Sequence, residues 1–303
     1  MPELPDVTVY VERLRALIGG TTLVGVRLKS PFLLRSVDPP LSSVSGRRVV
    51  KVDRLGKRIV IGLEGDLFLV LHLMIAGRLH WRKVGAKIAD RKSLAAFDFE
   101  AGALVLTEAS MRRRASLYVV SGEMQLGLHD RGGLEPLECT YAQFKARLCS
   151  ENRTLKRALT SPHLFSGIGN AYSDEILHAA ALSPVTLTSR LEPAEIRRLH
   201  QATVKTLRHW TEVLRAESAE GFPEKVTAFR PDMAVHGRYR QPCPVCATEV
   251  QRIRYAENEV NYCPRCQTNG RMLADRSLSR LLGSDWPKTI DAWEEEHPRS
   301  GEA

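Results

Sequence analysis

The sequence predicts an α+β multidomain protein: an N-terminal antiparallel β-sandwich with a leading helix, a helical middle domain and a C-terminal four-Cys zinc finger. Three observations carry that expectation. Residues 5–19 set apolar side chains at helical spacing, and short period-two segments follow. The helix period returns from about 138 to 216. Two C-x2-C pairs then fall within 238–270. A length of 303 residues is about two domains at ~150 residues each, with room for a small third. The boundaries expected are 1–130, 131–236, 237–270 and a C-terminal extension over 271–303.

The leading helix rests on Val7, Tyr10, Val11, Leu14, Leu17 and Ile18, at i, i+3, i+4, i+7, i+10 and i+11. Gly19-Gly20 ends it. Val24, Val26 and Leu28 then alternate, as in a half-buried strand. Segments 47–53, 57–63, 67–73, 95–99, 103–107 and 116–120 are short and rich in Val, Ile, Leu and Phe. Such spacing suits an antiparallel sandwich or a barrel. His129 to Pro136 reads as a linker. The clearest later helix is 193–216, opened by Pro193, with Ile196, Leu199, Thr203, Leu207, Trp210 and Leu214 on one face. Residues 217–236, with Gly221, Pro223 and Pro231, read as a long loop. In the tail, Leu281-Leu282 and Trp286 suggest packing, and Pro298, Ser300 and Gly301 a loose end.

Hydrophobic residues make up 43% and charged residues 26%, which excludes wholesale disorder, collagen and coiled coil. No apolar run reaches the ~18 residues of a membrane-spanning helix. The first residues lack the basic start and apolar core of a secretory signal, so a cytoplasmic protein is expected. Lys plus Arg number 44 against 35 Asp plus Glu, a net charge of +9. That excess favours a polyanionic partner over a merely solubilising surface.

Cys243-Pro-Val-Cys246 and Cys263-Pro-Arg-Cys266 are separated by sixteen residues. Each pair closes a knuckle that presents two thiolates to one tetrahedral ion, and one structural Zn2+ is the natural occupant. Disulfides are disfavoured in a reducing compartment, and an iron–sulfur cluster is the remote alternative. The intervening stretch is long enough for a two-stranded turn-back, with Val250, Ile253, Val260 and Tyr262 as strand residues. A four-thiolate site has no open position, so the zinc holds a fold and does no chemistry. Arg238, Arg240, Arg252, Arg254 and Arg265 surround it and suit phosphate contacts or a solvated face. Cys139 and Cys149 read as buried thiols.

The chain opens Met1-Pro2-Glu3-Leu4-Pro5-Asp6. Removal of Met1 leaves Pro2 with a free secondary amine. An α-amino pKa of about 7.7–8.0 leaves a useful neutral fraction near pH 7. A neutral amine attacks a carbonyl-like carbon to form an iminium ion. The Glu3 carboxylate next to it can move the protons.

Four stretches together resemble the formamidopyrimidine-DNA glycosylase / endonuclease VIII (Fpg/Nei) family of bifunctional DNA glycosylases with lyase activity. They are Pro2-Glu3-Leu4-Pro5, Gly56-Lys57 before a strand, Gly167-Ile168-Gly169-Asn170 with Asp174-Glu175, and the four-cysteine segment preceded by His236-Gly237-Arg238. Order and spacing agree from residue 2 to about residue 267. The resemblance implies that the helical domain is a helix–two-turn–helix DNA-binding domain and that the β-rich domain is catalytic. It makes Pro2 the nucleophile at C1′ of the damaged nucleotide, Glu3 the general acid/base and Lys57 a phosphate clamp. Asn170 becomes a phosphate contact, or a plain helix cap, or both. His72 and Ile75 belong to a loop that inserts into the duplex, and Arg113 and Arg114 to a partner loop. Arg238 and Arg254 are DNA contacts of the finger, and Cys243, Cys246, Cys263 and Cys266 are the zinc ligands. The implied partner is double-stranded DNA containing damaged bases or abasic sites, bound by a monomer, with no membrane. Nucleoid association of the DNA-bound protein is expected with it.

The pattern is broken in places. The family's His-Leu-Gly-Met-Ser-Gly reads His-Leu-Met-Ile-Ala-Gly over residues 72–77, so Ile75 stands where Met usually inserts. The partner loop is Met111-Arg112-Arg113-Arg114-Ala115-Ser116, without its usual aromatic residue. Asn258 stands at the finger's usual Arg, and some thirty residues extend the chain past the finger. Lost features are those tied to oxidised guanine, which points to a divergent member with a preferred lesion other than 8-oxoguanine. The expected function is base-excision repair: glycosylase action on damaged, oxidised bases and AP-lyase strand cleavage through a Pro2 Schiff base. The alternatives are a catalytically idle damaged-DNA-binding protein on the same scaffold, and a zinc-ribbon transcription regulator. The last explains neither the N-terminus nor the β-rich half.

Overall fold

The computed structural model describes residues 1–303 except 220, 225, 227–229, 256–257, 275, 284–285 and 297–303. Pro298, Ser300 and Gly301, expected to end the tail loosely, lie outside the described residues. Two compact units are found: 1–133 with 208–228, and 134–207 with 229–303.

In the first unit, helix α1 (Leu4–Ile18) leads into strands β1 (Thr22–Leu28), β2 (Arg47–Leu55), β3 (Arg58–Leu63) and β4 (Leu67–His72). Strands β5 (Gly77–Arg82), β6 (Ser93–Phe99), β7 (Gly102–Glu108) and β8 (Ser116–Ser121) and helix α2 (Glu123–Gly127) follow. The strand order is β5-β7-β6-β1-β2-β3-β4-β8, antiparallel throughout. Strands β1 and β2 share only the pairs Thr22↔Arg48 and Leu23↔Arg47, so the sheet folds there into the two halves of a sandwich.

Alternation explains the packing. In the β2-β3-β4-β8 half, Ile59, Ile61, Leu63, Leu69, Leu71, Leu117 and Val119 join the main core, which also takes Phe97, Leu104 and Leu106 from the other half. Val60, Phe68, Val70 and Val120 fill a second cluster on the opposite face, with Tyr118 and Leu126. Burial on both faces is why 58–63 and 67–72 read as nearly continuous apolar runs. All six stripe residues of α1 enter the same main core, with Leu17 only partly buried.

Strand β1 departs from the expected alternation. Val24 is 58% exposed, and Leu23 is the buried residue. A register shift between Leu23 and Gly25 inserts one residue, after which Val26 and Leu28 turn to the core. Strand β5 was not expected, because His80 and the flanking arginines obscure its pattern.

The second unit holds α3 (Tyr141–Leu148), α4 (Leu155–Thr160), α5 (Asn170–Ala179) and the first part of α6 (Pro193–Glu217), whose residues from Arg208 belong to the first unit. All six face residues of α6 are buried. The hairpin β9 (Gln251–Arg254) and β10 (Glu259–Tyr262) follows, then α7 (Pro264–Thr268), α8 (Arg276–Leu282) and α9 (Ile290–Glu296). Val250, Ile253, Val260 and Tyr262 are buried, as the turn-back requires.

Three expectations are corrected. Leu281 and Leu282 are exposed; the extension packs instead through Met272, Ile290 and Trp293, with Trp286 beside Trp293. Cys149 is exposed because it caps the C-terminus of α3, and Cys139 is only half-buried. Among the described residues, no helix is long and apolar enough to cross a membrane.

Candidate functional site

In the first unit, Pro2 and Glu3 stand at the start of α1. Glu3 is the N-cap, and Asp6 sits in the first turn. Both are 1% exposed. Asp6 Oδ2 accepts the Glu3 N–H at 2.8 Å, which fixes the backbone carrying Glu3. Pro2 is buried; with Met1 in place its nitrogen is an amide. The Met1 amine beside it is pushed below its ordinary value of 8.0, first by burial. The positive charges of Arg78 and Lys57 act in the same direction, against Glu3 and Asp6.

Burial pushes the Asp6 carboxyl up to about 7, with the Glu3 N–H bond opposing and the Glu3 charge adding. The fold therefore prefers the protonated form. This stabilisation is complete below the ordinary value of 3.8 and is lost as pH rises through about 7. Asp6→Asn stays neutral and keeps an acceptor for Glu3. Its stability relative to the parent should rise steadily from pH 4 to pH 8, as read by urea unfolding. A parallel pH dependence of the two proteins would contradict a buried, titrating Asp6.

Lys57 lies in the β2–β3 turn, within electrostatic reach of the N-terminal amine and of His72. His72 closes β4. Burial first, then Arg58 and Lys57, lower its imidazole to about 4, so it is neutral at pH 7. Its Nδ1 accepts the Met74 N–H at 3.0 Å, which places the ring proton on Nε2. Residues 73–77 then turn sharply, with the Gly77 N–H donating to Leu73 O at 2.9 Å. A Cβ on Gly77 would meet that oxygen at 2.2 Å, so only glycine closes this turn. The turn projects Ile75, 53% exposed, as a wedge requires. The partner loop joins β7 to β8. Buried Glu108 accepts the N–H groups of Arg114 and Ala115 and anchors it. Arg113 donates to Arg91 O, and Met111 is fully exposed.

In the second unit, Gly167 has φ of 76° ahead of α5. Asn170 is the first residue of α5; Gly169, not Asn170, is its N-cap. The Asn170 side chain donates to Glu259 O at 2.9 Å. Its backbone oxygen accepts from Lys156 Nζ at 2.6 Å. Lys156 also pairs with Asp174 at 2.5 Å, and Asp174 bonds His236 Nδ1 at 2.8 Å. This pair is nearly solvent-free, and removing one partner from such a pair costs about 3–5 kcal/mol. Glu175 accepts the N–H groups of Ala234, Val235 and His236. Asp174-Glu175 thus fasten α5 to the His236-Gly237-Arg238 segment.

Several finger arginines are committed within the fold. Arg238 donates to Gln241, Met233 O and Pro242 O, holding the first knuckle. Arg252 pairs with Glu259 and lies 4.1 Å over the Tyr239 ring. Arg265 pairs with Asp291 of the extension at 2.6 Å. Arg254 is exposed and opposite Glu259 in the hairpin, which brings it towards Asn170. Asn258 O accepts the Tyr255 N–H at 2.8 Å and so shapes the hairpin turn.

The four ligand sulfurs of Cys243, Cys246, Cys263 and Cys266 lie within 4.8 Å of one another. Three of their separations are 3.9, 3.4 and 3.5 Å. Tetrahedral zinc with Zn–S of about 2.3 Å sets sulfurs about 3.8 Å apart. A disulfide needs about 2.05 Å. The cluster therefore fits one structural zinc, which would be held by all four thiolates.

Glu3, Lys57 and His72 are thus brought together in one unit, and Asn170, Arg254 and the zinc ligands in the other. Asp6, Arg78 and Lys156 escaped the sequence reading. Asp6 and Arg78 are single charged residues, and Lys156 is one of two adjacent cations, Lys156-Arg157; no spacing marks any of them.

A family model for the formamidopyrimidine-DNA glycosylase N-terminal domain matches residues 1–117. Models for the formamidopyrimidine-DNA glycosylase H2TH domain and for the zinc finger found in FPG and IleRS match 133–218 and 240–269. The formamidopyrimidine-DNA glycosylase of Thermus thermophilus is 34% identical over 282 residues, covering 89% of this chain and all of that protein. That of Heliobacterium modesticaldum is 30% identical over 287 residues, covering 88% and 100%. The Lactococcus lactis Fpg in complex with abasic-site DNA shares the fold, with a TM-score of 0.77 at 23% identity, covering 88% of this chain and 99% of that one. Three matched domains in order, with full-length relatives at this identity, place the chain in the formamidopyrimidine-DNA glycosylase / endonuclease VIII family, DNA glycosylases of base-excision repair.

Proposed function

We propose that this chain is a bifunctional glycosylase that removes oxidised bases from duplex DNA and cuts the strand through a Pro2 Schiff base. The observation that carries this reading is the buried N-terminus. There Glu3 is held by Asp6, and the Met1 amine, one residue before Pro2, is pushed towards its neutral form with Lys57 nearby.

A base inside the stack is unreachable, so the nucleotide is first extruded at a cost of a few kcal/mol. Ile75 fills the gap. With Met1 removed, the Pro2 nitrogen bonds to C1′ and the N-glycosidic bond breaks, the base leaving with the electron pair. Glu3 supplies a proton as the sugar ring opens and the iminium forms. The iminium acidifies C2′; its proton is lost, the C3′–O bond breaks and the 3′ phosphate departs. Lys57, Asn170 and Arg254 hold phosphates, and Arg113 and Arg114 approach the DNA from the partner loop.

Electrostatic clamping makes affinity salt-dependent. Each phosphate contact adds about −0.9 to the log–log slope on duplex DNA. Lys57→Ala should therefore flatten the salt slope by about 0.9, read by anisotropy across a salt series. An unchanged slope would remove Lys57 from the phosphate clamp.

Ile75, and a partner loop without an aromatic residue, favour a lesion other than 8-oxoguanine. A panel of duplexes with 8-oxoguanine, formamidopyrimidines and oxidised pyrimidines tests this by base release and strand cleavage. Selective excision of 8-oxoguanine opposite cytosine would overturn that preference. No base release, with tight binding kept, would favour the idle binder.

A further inference from the structure

Helix α5 meets the cysteine cluster at a buried polar contact. His178, in its last turn, is 7% exposed, and Cys243 is 2% exposed. His178 Nε2 lies 3.3 Å from Cys243 Sγ. A metal-bound thiolate has no proton to give. A hydrogen bond between these atoms therefore runs one way, from Nε2–H to sulfur. The Val245 N–H approaches the same sulfur at 3.5 Å from within the knuckle. His178 is the partner that reaches it from outside the finger.

We propose that His178 is a positioning residue of the zinc site, whose Nε2–H donates to the Cys243 thiolate and ties α5 to the metal. Groups that hydrogen-bond metal ligands orient them, and their loss commonly costs 10–100-fold in metal affinity. Three further links join α5 to the finger segment: Asn170 to Glu259, Asp174 to His236, and Glu175 to residues 234–236. None of these three reaches a ligand sulfur, as His178 does. Asn170 lies eight residues away on the same helix, about 12 Å at 1.5 Å per residue. Zinc loss should therefore loosen the Asn170 end as well, a consequence that rests on the phosphate role proposed above. The hydrogen bond itself rests on the zinc site alone.

The test uses the full-length protein loaded with cadmium-113 and labelled with nitrogen-15 histidine. The expected result is scalar coupling between the cadmium and one slowly exchanging imidazole Nε2–H, absent in His178→Phe. Competition with a chromophoric chelator should show zinc held about 10–100-fold more weakly by His178→Phe, with His178→Gln, which keeps an N–H, in between. The absence of any cadmium-coupled imidazole proton in the parent protein would overturn the proposal, and so would unchanged zinc retention in a folded His178→Phe. Should that variant fail to fold, the coupling in the parent protein decides alone. Neither readout uses DNA, so failure here is distinguishable from failure of the lyase mechanism.

Discussion

An uncleavable extension at the N-terminus, keeping the Pro2 nitrogen an amide, should lower strand cleavage at an abasic site by on the order of 10³-fold or more while duplex binding is kept. The reason is chemical. An amide nitrogen has no basic lone pair, so no Schiff base forms, yet the binding groups are untouched. Glu3→Gln should cost about 10²–10⁴-fold, the usual span for a lost acid/base group. The two variants differ in a second readout. The extended protein forms no covalent adduct, whereas Glu3→Gln retains its amine and forms one slowly. Single-turnover cleavage with native-gel binding measures both. Cleavage by the extended chain at the parent rate would show that another amine is the nucleophile.

Loss of the metal should have the second large effect. Structural zinc contributes about 10–16 kcal/mol of apparent binding energy in finger peptides, far more than this small hairpin gains by packing. Cys263→Ala should take the protein from one bound zinc to none. The β9–β10 hairpin then loses its hold, and with it Arg254 and the Glu259 oxygen that orients Asn170. Two charge-assisted contacts at about 1.5 kcal/mol each predict DNA affinity lower by about 10²-fold. Unfolding of the first unit should be unchanged, because its core contains no finger residue. Metal analysis, anisotropy and calorimetry on the same sample separate these effects. Full affinity in a zinc-free protein would remove the finger from DNA binding.

The legible parts of the fold were those where local pattern and tertiary burial agree. The α1 stripe, the apolar runs of β3 and β4 and the face of α6 all announce themselves, because each buries what its period exposes. Strand β1 was misread because a one-residue bulge reverses its faces after Leu23. Strand β5 alternates too, but only Leu79 and Trp81 are apolar among Arg78, His80 and Arg82, too short a pattern to stand out from the adjoining turn. The cysteine cluster was legible because metal geometry constrains spacing. The ion pairs were not. Nothing in the sequence shows that Arg265 pairs with Asp291, or that Arg238 is spent on the first knuckle. Arg254 stands out by place alone: it is exposed and lies opposite Glu259, the residue whose oxygen holds Asn170. Lys156 was equally silent, since a lysine at a helix start reads as solvated until Asp174 is found beneath it.

The central claim is that the N-terminal proline is the nucleophile. Its most direct test is borohydride trapping of the processed protein on an oligonucleotide with a single abasic site, followed by peptide mapping. The expected result is one stable protein–DNA adduct whose cross-linked peptide begins at Pro2. A protein with a free N-terminal proline that binds the oligonucleotide but gives no adduct, or an adduct mapped to a lysine, would contradict it.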